Sequence, residues 1–349
     1  MDVAILGASG YGGGELLRLL LGHPRLQSVV GAARQHAGQA IDEVHPHLRG
    51  LVDGRFAESI DWARLADSEC PVLFAALPHG EFARRYEELE ATWEAAGLSG
   101  RLIVVDLSGD FRLADPAAFE QTYKMAHPCP QHLGRFVYGL SEWCRDALAG
   151  ARRIANPGCF ATAIQLGLLP LQQLGDRRPA WVAVSAVTGS SGSGASASET
   201  THHPARAQDF RAYKVLAHQH EGEIRRMLAE QGGGLDFALV PHSAPLVRGI
   251  FATLVFPAPG LTREHLESAF IGAYGDAPFV RLVNGTPRVA AVAGSNFVDI
   301  AIGISSGSAT VMVAIDNLVK GMAGQAIQNL NLALGWPKDM GLRVAGLYP

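Results

Sequence analysis

Residues 3–21 read VAILGASGYGGGELLRLLL. Val3 to Ala8 is a short apolar run of strand type, and Glu15 to Leu21 carries apolar residues at helical spacing. Between them stand Gly7, Gly10 and Gly13, spaced GxxGxxG rather than the commoner GxGxxG. Glycine there permits a tight turn and lets backbone approach a pyrophosphate, while the following helix offers N–H donors and a positive dipole. The unit predicts dinucleotide binding in a parallel α/β domain. The plain alternative is a glycine-rich turn in a domain that binds no nucleotide.

Working outward, QSVVGAA (27–33), PVLFAALP (71–78) and RLIVVDLS (101–108) read as further strands separated by helical segments, the pattern of βαβ units. A site for NAD wants an acidic residue about 20 residues past the glycines, at the end of the second strand. That strand ends instead at Arg34, whose guanidinium suits a 2′-phosphate, so NADP (NADPH) is expected over NAD. Arg34 as an ordinary solvated loop residue is the alternative.

The chain has 349 residues, 48% hydrophobic and 18% charged, and its 40 glycines follow no fixed period. That length predicts two domains with large cores and excludes a disordered or collagen-like chain. A net charge of −4 provides no cationic face for nucleic acid or an anionic membrane. Its apolar runs are about half the roughly 20 residues that span a bilayer. Met1 leads straight into a strand, with no basic stretch or cleavage site of a leader. Four cysteines, none at CxxC spacing, make neither a disulfide framework nor a metal site. The expectation is a cytoplasmic protein that holds no metal.

Past Ile154 the texture changes. WVAVSAVTGSSGSG (181–194), DFALVPH (236–242), GIFATLVFPA (249–258), FVRLV (279–283), VDIAIGIS (298–305) and SATVMVAID (308–316) predict a mostly antiparallel sheet, with one clear helix at 261–275. The Ser/Gly-rich run 189–198 predicts a flexible loop. Asp316 to Leu334 returns to helical spacing and is expected to pack back on the first domain. The domains expected are therefore 1–155, completed by the C-terminal segment of about 315–349, and 156–314.

Cys159 follows the turn signal Asn156-Pro157-Gly158 and opens an apolar helical run. Amides and dipole at a helix start favour a thiolate, the nucleophile that takes an acyl group from a phosphate anhydride. A small cysteine filling core space is equally compatible with the spacing. Cys70, Cys129 and Cys144 lack that setting and read as structural. His218 and His220 form an HxH pair before a helical segment containing Glu223. The pairs His45/His47 and His202/His203 read as solvated loop residues.

Eight strings, in order, carry a resemblance: GASGYGGGELLRLL, ALPHG, DLSGDFRL, NPGCFAT, AHQHEGEI, PHSAPLVRGI, GSNFVDI and AIDNLVKGMAGQAIQNLN. Together they resemble the N-acetyl-γ-glutamyl-phosphate reductases of arginine synthesis and their aminoadipate-phosphate relatives of lysine synthesis, from Val3 to Trp336. The resemblance implies a Rossmann NADP-binding domain and an α+β catalytic and dimerisation domain of the glyceraldehyde-3-phosphate-dehydrogenase type. It implies catalytic Cys159, with His218 as acid/base and His220 as the neighbour that could replace it. Ser9, Tyr11 and Gly12 would share the phosphate loop with Gly7, Gly10 and Gly13. Pro78 and Asn296 would also meet the cofactor, Asn296 at the nicotinamide carboxamide. Arg112 and Arg248 become candidates for the substrate's phosphate and carboxylate, or else ion-pair arginines.

The implied reaction is NADPH-dependent reduction of an N-acyl-γ-glutamyl phosphate, N-acetyl foremost, through a thioester on Cys159, in a homo-oligomer (dimer or tetramer). Phe160 and Ala161 stand where many members carry Tyr-Pro, and SSGSGASASETTHHP lacks the basic residue of many. The second departure looks nearer the lysine branch, while NPGC looks nearer the arginine branch. Alternatives are N-succinyl-glutamyl or carrier-linked aminoadipyl phosphate as substrate, or an NADP-sensing protein without catalysis. Aspartyl phosphate is disfavoured by the 315–329 helix.

Overall fold

The computed structural model describes residues 1–348. β1 (Asp2–Leu6) leads through the glycine turn into α1 (Tyr11–Leu20), and β2 (Ser28–Ala32) follows. β3 (Pro71–Ala75), α2 (Glu81–Ala95), β4 (Ile103–Asp106), α3 (Pro116–Tyr123), β5 (Val137–Tyr138) and β6 (Arg153–Ala155) continue the first unit. The six strands lie in the order β2-β1-β3-β4-β6-β5, and every neighbouring pair is parallel. β3 and β4 are buried throughout, which is why they read as unbroken apolar runs.

The first unit comprises Met1–Pro157 and Met322–Arg343. Its last helix, α7, spans Gly324–Ala333. Asn329 of that helix donates to the Gly139 carbonyl at 2.7 Å and to the Asn156 side chain at 3.1 Å.

The second unit runs from Gly158 to Gly321 and takes in the described residues after Arg343. It contains α4 (Cys159–Leu168), β7 (Trp181–Thr188), β8 (Arg211–Ala212), α5 (His220–Glu230), β9 (Asp236–Ser243) and β10 (Ile250–Pro257). α6 (Arg263–Tyr274), β11 (Val280–Leu282), β12 (Val298–Ser305) and β13 (Ser308–Ile315) complete it. The sheet order is β11-β12-β13-β10-β7-β9-β8. It is mostly antiparallel, as expected, with four antiparallel pairings and two parallel ones, β7 with β9 and β11 with β12. A parallel neighbour needs a crossover, and the chain between β7 and β9 provides one through α5. α4 is buried along its length after Cys159. Gly167 lets it close on Leu254 and Val313 of the sheet. Each large apolar side chain so buried contributes about 1.5–3 kcal/mol.

Two boundaries differ from the periodicity. α1 begins at Tyr11 and not Glu15, because Gly12 to Gly14 are helical: Gly13 packs on the Ala8 backbone and Gly14 on the His45 ring. The helix expected from Asp316 starts as a π-turn over Val319–Ala323 before α7. Asp316 stands ahead of it, its carboxylate accepting the N–H groups of Leu318 and Val319 at 2.8 and 2.9 Å.

Candidate functional site

In the first unit Gly7 has φ +75°, and a Cβ there would lie 2.3 Å from the Ala76 carbonyl oxygen. Only glycine lets the β1 loop close against the loop that carries Pro78. Gly10 opens α1 with no side chain capping it and no acid in the first turn. A helix start without a carboxylate beside its first-turn amides suits an anion. Ser9 and Gly12 are half-buried and Tyr11 is exposed. Arg34 is exposed at the first turn after β2, with no carboxylate among Arg34, Gln35 and His36. These features fit a dinucleotide. Arg85, unmarked by any motif, is a second guanidinium there. Burial first, and then the charge of Arg34, hold it below the usual guanidinium range.

In the second unit Cys159 is the first residue of α4 and is half-buried. Gly158 before it is held by its N–H, which donates to Glu223 Oε2 at 3.0 Å. The His220 ring lies so close that a Cβ on Gly158 would come within 2.4 Å of its Nε2. The His218 and His220 rings meet edge-on at 4.6 Å, and Phe160 packs on His218 at 5.2 Å. Both histidines and Glu223 are buried. Cys159, His218 and His220 therefore come together, with Tyr213 5.9 Å from His218. No motif of the sequence marks Tyr213. Its phenol is raised by burial first and by Cys159 second. Gly321 shows its part only in three dimensions: a Cβ there would stand 2.6 Å from that of Cys159.

The two arginines marked for substrate are engaged within the protein. Arg112, 3% exposed, donates from Nε to the Asn156 carbonyl at 2.8 Å and from Nη2 to that of Leu107 at 3.0 Å. Arg248 grips Asp316 with two hydrogen bonds of 2.9 and 3.2 Å. Asn296 is buried in the second unit. His45 is not a solvated loop residue: it is buried, and its Nε2 lies 2.8 Å from the Ala8 carbonyl oxygen. Burial, above all, pushes the Cys129 thiol up to about 12 and raises Cys70, as suits unreactive thiols. No group of three or more potential metal ligands occurs among the described residues, and no helix there is long and apolar enough to cross a membrane.

A parallel dinucleotide-type unit joined to a mixed-sheet unit with a helix-start cysteine defines an oxidoreductase of the semialdehyde-dehydrogenase class. Residues 2–151 match the family model described as semialdehyde dehydrogenase, NAD binding domain, and residues 159–317 match its dimerisation domain. The aspartate semialdehyde dehydrogenase II of Vibrio cholerae superposes with a TM-score of 0.66 over 95% of this chain and 97% of that one. At 16% identity the likeness speaks for the fold. The LysW-L-2-aminoadipate 6-phosphate reductase of Deinococcus radiodurans is 41% identical, covering 99% of this chain and 98% of its own. The N-acetyl-gamma-glutamyl-phosphate reductase of Shouchella clausii is 39% identical over the whole of both. The chain belongs to the family of phosphate reductases that these two represent, and it is an enzyme with a nicotinamide-dinucleotide-binding domain.

Proposed function

We propose that the protein catalyses NADPH-dependent reduction of the ω-acyl phosphate of an N-blocked glutamate, N-acetyl foremost, to the semialdehyde and phosphate. The observation that carries this reading is Cys159 at the start of α4, with the His220 ring against Gly158 and His218 beside it.

In this reading the Cys159 thiolate attacks the acyl carbon, expels phosphate and leaves a thioester on Sγ. When bound, NADPH supplies the hydride that brings the thioester to the aldehyde level. Gly7, Ser9, Gly10, Tyr11, Gly12 and Gly13 hold its pyrophosphate, with Pro78 in the adjoining loop and Asn296 toward the carboxamide. Arg34 meets the 2′-phosphate. His218 takes the thiol proton and protonates the developing oxyanion, the two tasks of an acid/base imidazole. His220 is the alternative for that role. Arg112, and Arg248 through its tie to Asp316, shape the surroundings.

Reduction of carrier-linked aminoadipyl phosphate is the second reading. It is favoured by the Deinococcus relative and by the absence of a basic residue from 190–204. We further propose that the enzyme works in the cytoplasm as a dimer or tetramer. The test is phosphate-dependent reduction of NADP⁺ with N-acetyl-glutamate, N-succinyl-glutamate and carrier-linked aminoadipate semialdehydes. The preferred semialdehyde identifies the acyl group. NADPH binding without turnover of any of them would favour a sensor instead.

A further inference from the structure

Residues 192–205 of the second unit are exposed apart from half-buried Thr201, yet Arg206, which follows, is only 8% exposed. Its Nη1 donates to Ser243 Oγ, and its Nη2 to the Ala244 carbonyl at 3.1 Å. Its Nε is buried without a partner. Among the described residues no carboxylate forms an ion pair with it: Asp209, three residues on, pairs with Arg211. A guanidinium taken out of water without counter-ion or full set of acceptors is costly. That expense is recovered if an anion arrives.

The surroundings indicate which anion. Ser243 ends β9, where it faces Arg211 of β8 and Thr188 of β7. Tyr213, two residues past Arg211, donates its N–H to the Pro241 carbonyl of the same strand end, and its ring meets His218. Cys159 raises the Tyr213 phenol and Arg206 lowers it, so one phenol feels both groups. Arg112 and Arg248, by contrast, spend donors on backbone carbonyls and on Asp316.

We propose that Arg206 receives an oxyanion of the substrate, its phosphate or a carboxylate of its acyl chain, on the Tyr213 side of Cys159. The inference rests on the reading of the protein as an acyl-phosphate reductase. Arg206 offers Nε–H and the free N–H groups of its fork, the arrangement that binds a carboxylate or phosphate with two parallel hydrogen bonds. It supplies the cation that the 190–204 stretch lacks.

Calorimetric titration of the full chain with inorganic phosphate, and separately with N-acetyl-L-glutamate, tests this without turnover. Arg206→Met should weaken one probe by roughly ten- to hundredfold, the weight of a charge-assisted pair. Arg206→Lys should recover part of the loss, as a purely structural tether would not. A loss confined to phosphate assigns the phosphate, and one confined to N-acetyl-L-glutamate assigns the carboxylate. Should Arg206→Met fail to fold by thermal melting, Arg206→Gln keeps a donor toward Ala244 and decides. Wild-type affinity for both probes in the neutral variant overturns the proposal, as does absence of binding to the wild type. If anion binding depends on Arg206 but no semialdehyde is turned over, the reaction assignment fails and the anion site stands.

Discussion

The backbone N–H of His220 donates to Nδ1 of His218 across 3.2 Å. A nitrogen that accepts carries no proton, so this bond favours the neutral His218 tautomer with hydrogen on Nε2. In that form Nε2–H would donate to the oxyanion that develops on the acyl carbon in the proposed reaction, whereas taking up the thiol proton would require the bond at Nδ1 to open.

His218→Asn should therefore lower kcat by roughly 10²- to 10⁴-fold, the weight of a positioned proton-transfer group, with a smaller change in KM. His220→Asn removes the ring against Gly158 and should cost less than about tenfold on the same scale. Steady-state kinetics of the two variants decides. A dead His220 variant beside a near-normal His218 variant moves the role to His220.

Cys159→Ser should abolish turnover, with kcat/KM down by about a thousandfold or more, because a hydroxyl lacks the thiolate's nucleophilicity. NADPH binding, measured by fluorescence titration, should stay at the wild-type level. Retention of more than about a hundredth of the activity would exclude a thioester on this residue.

Gly321→Ala tests what holds the cysteine in place. The added methyl would overlap Cys159 Cβ at 2.6 Å, and the Asp316 carbonyl that fixes the Gly321 N–H at 2.9 Å leaves it little room to retreat. Overpacking of this kind costs about 1–3 kcal/mol. A shift of the nucleophile by a fraction of an ångström should lower kcat by about tenfold or more. Unaltered turnover in a folded variant would show that the backbone yields instead of the thiol.

Arg34→Asp should reduce the NADPH to NADH ratio of kcat/KM by about tenfold or more, since a carboxylate at that tip repels a 2′-phosphate. Arg85→Gln should move the ratio the same way by less, its guanidinium lying within reach of Arg34's charge. If both ratios stay put, neither arginine reads the 2′-phosphate.

Much of this was legible in the sequence because it depends on neighbours along the chain. The strand, glycine turn and helix at 2–20 form one continuous segment, and Cys159 advertises itself by Asn-Pro-Gly and an apolar run. What stayed hidden depends on partners far along the chain. Gly321 matters through Cys159, and Arg248 is claimed by Asp316, 68 residues away. The parallel pairing of β7 with β9 is equally invisible to alternation, which reports the buried face and not strand direction.

The last prediction concerns stability against pH. Asp106, at the end of β4, is fully buried. Burial first, and then the neighbouring Asp110 charge, push its carboxyl up to about 7, against the opposing effects of Ser108 hydrogen bonds and Arg112. In the unfolded chain the same group titrates near 3.9. The folded state thus holds a proton that the unfolded state gives up between about pH 4 and pH 7. Stability from this group is full below that window, falls as pH rises through it, and is lost above it. Asp106→Asn should remove the dependence. Its amide keeps an oxygen for the Ser108 N–H, which now donates to Oδ1 at 2.9 Å, and offers N–H to Ser108 Oγ where Oδ2 now lies. Denaturant melts should find the variant close to wild type at pH 5 and more stable at pH 8, by up to a few kcal/mol. A variant that is equally or less stable at pH 8 would mean that Asp106 is ionised in the folded protein, with Arg112 and Ser108 outweighing burial.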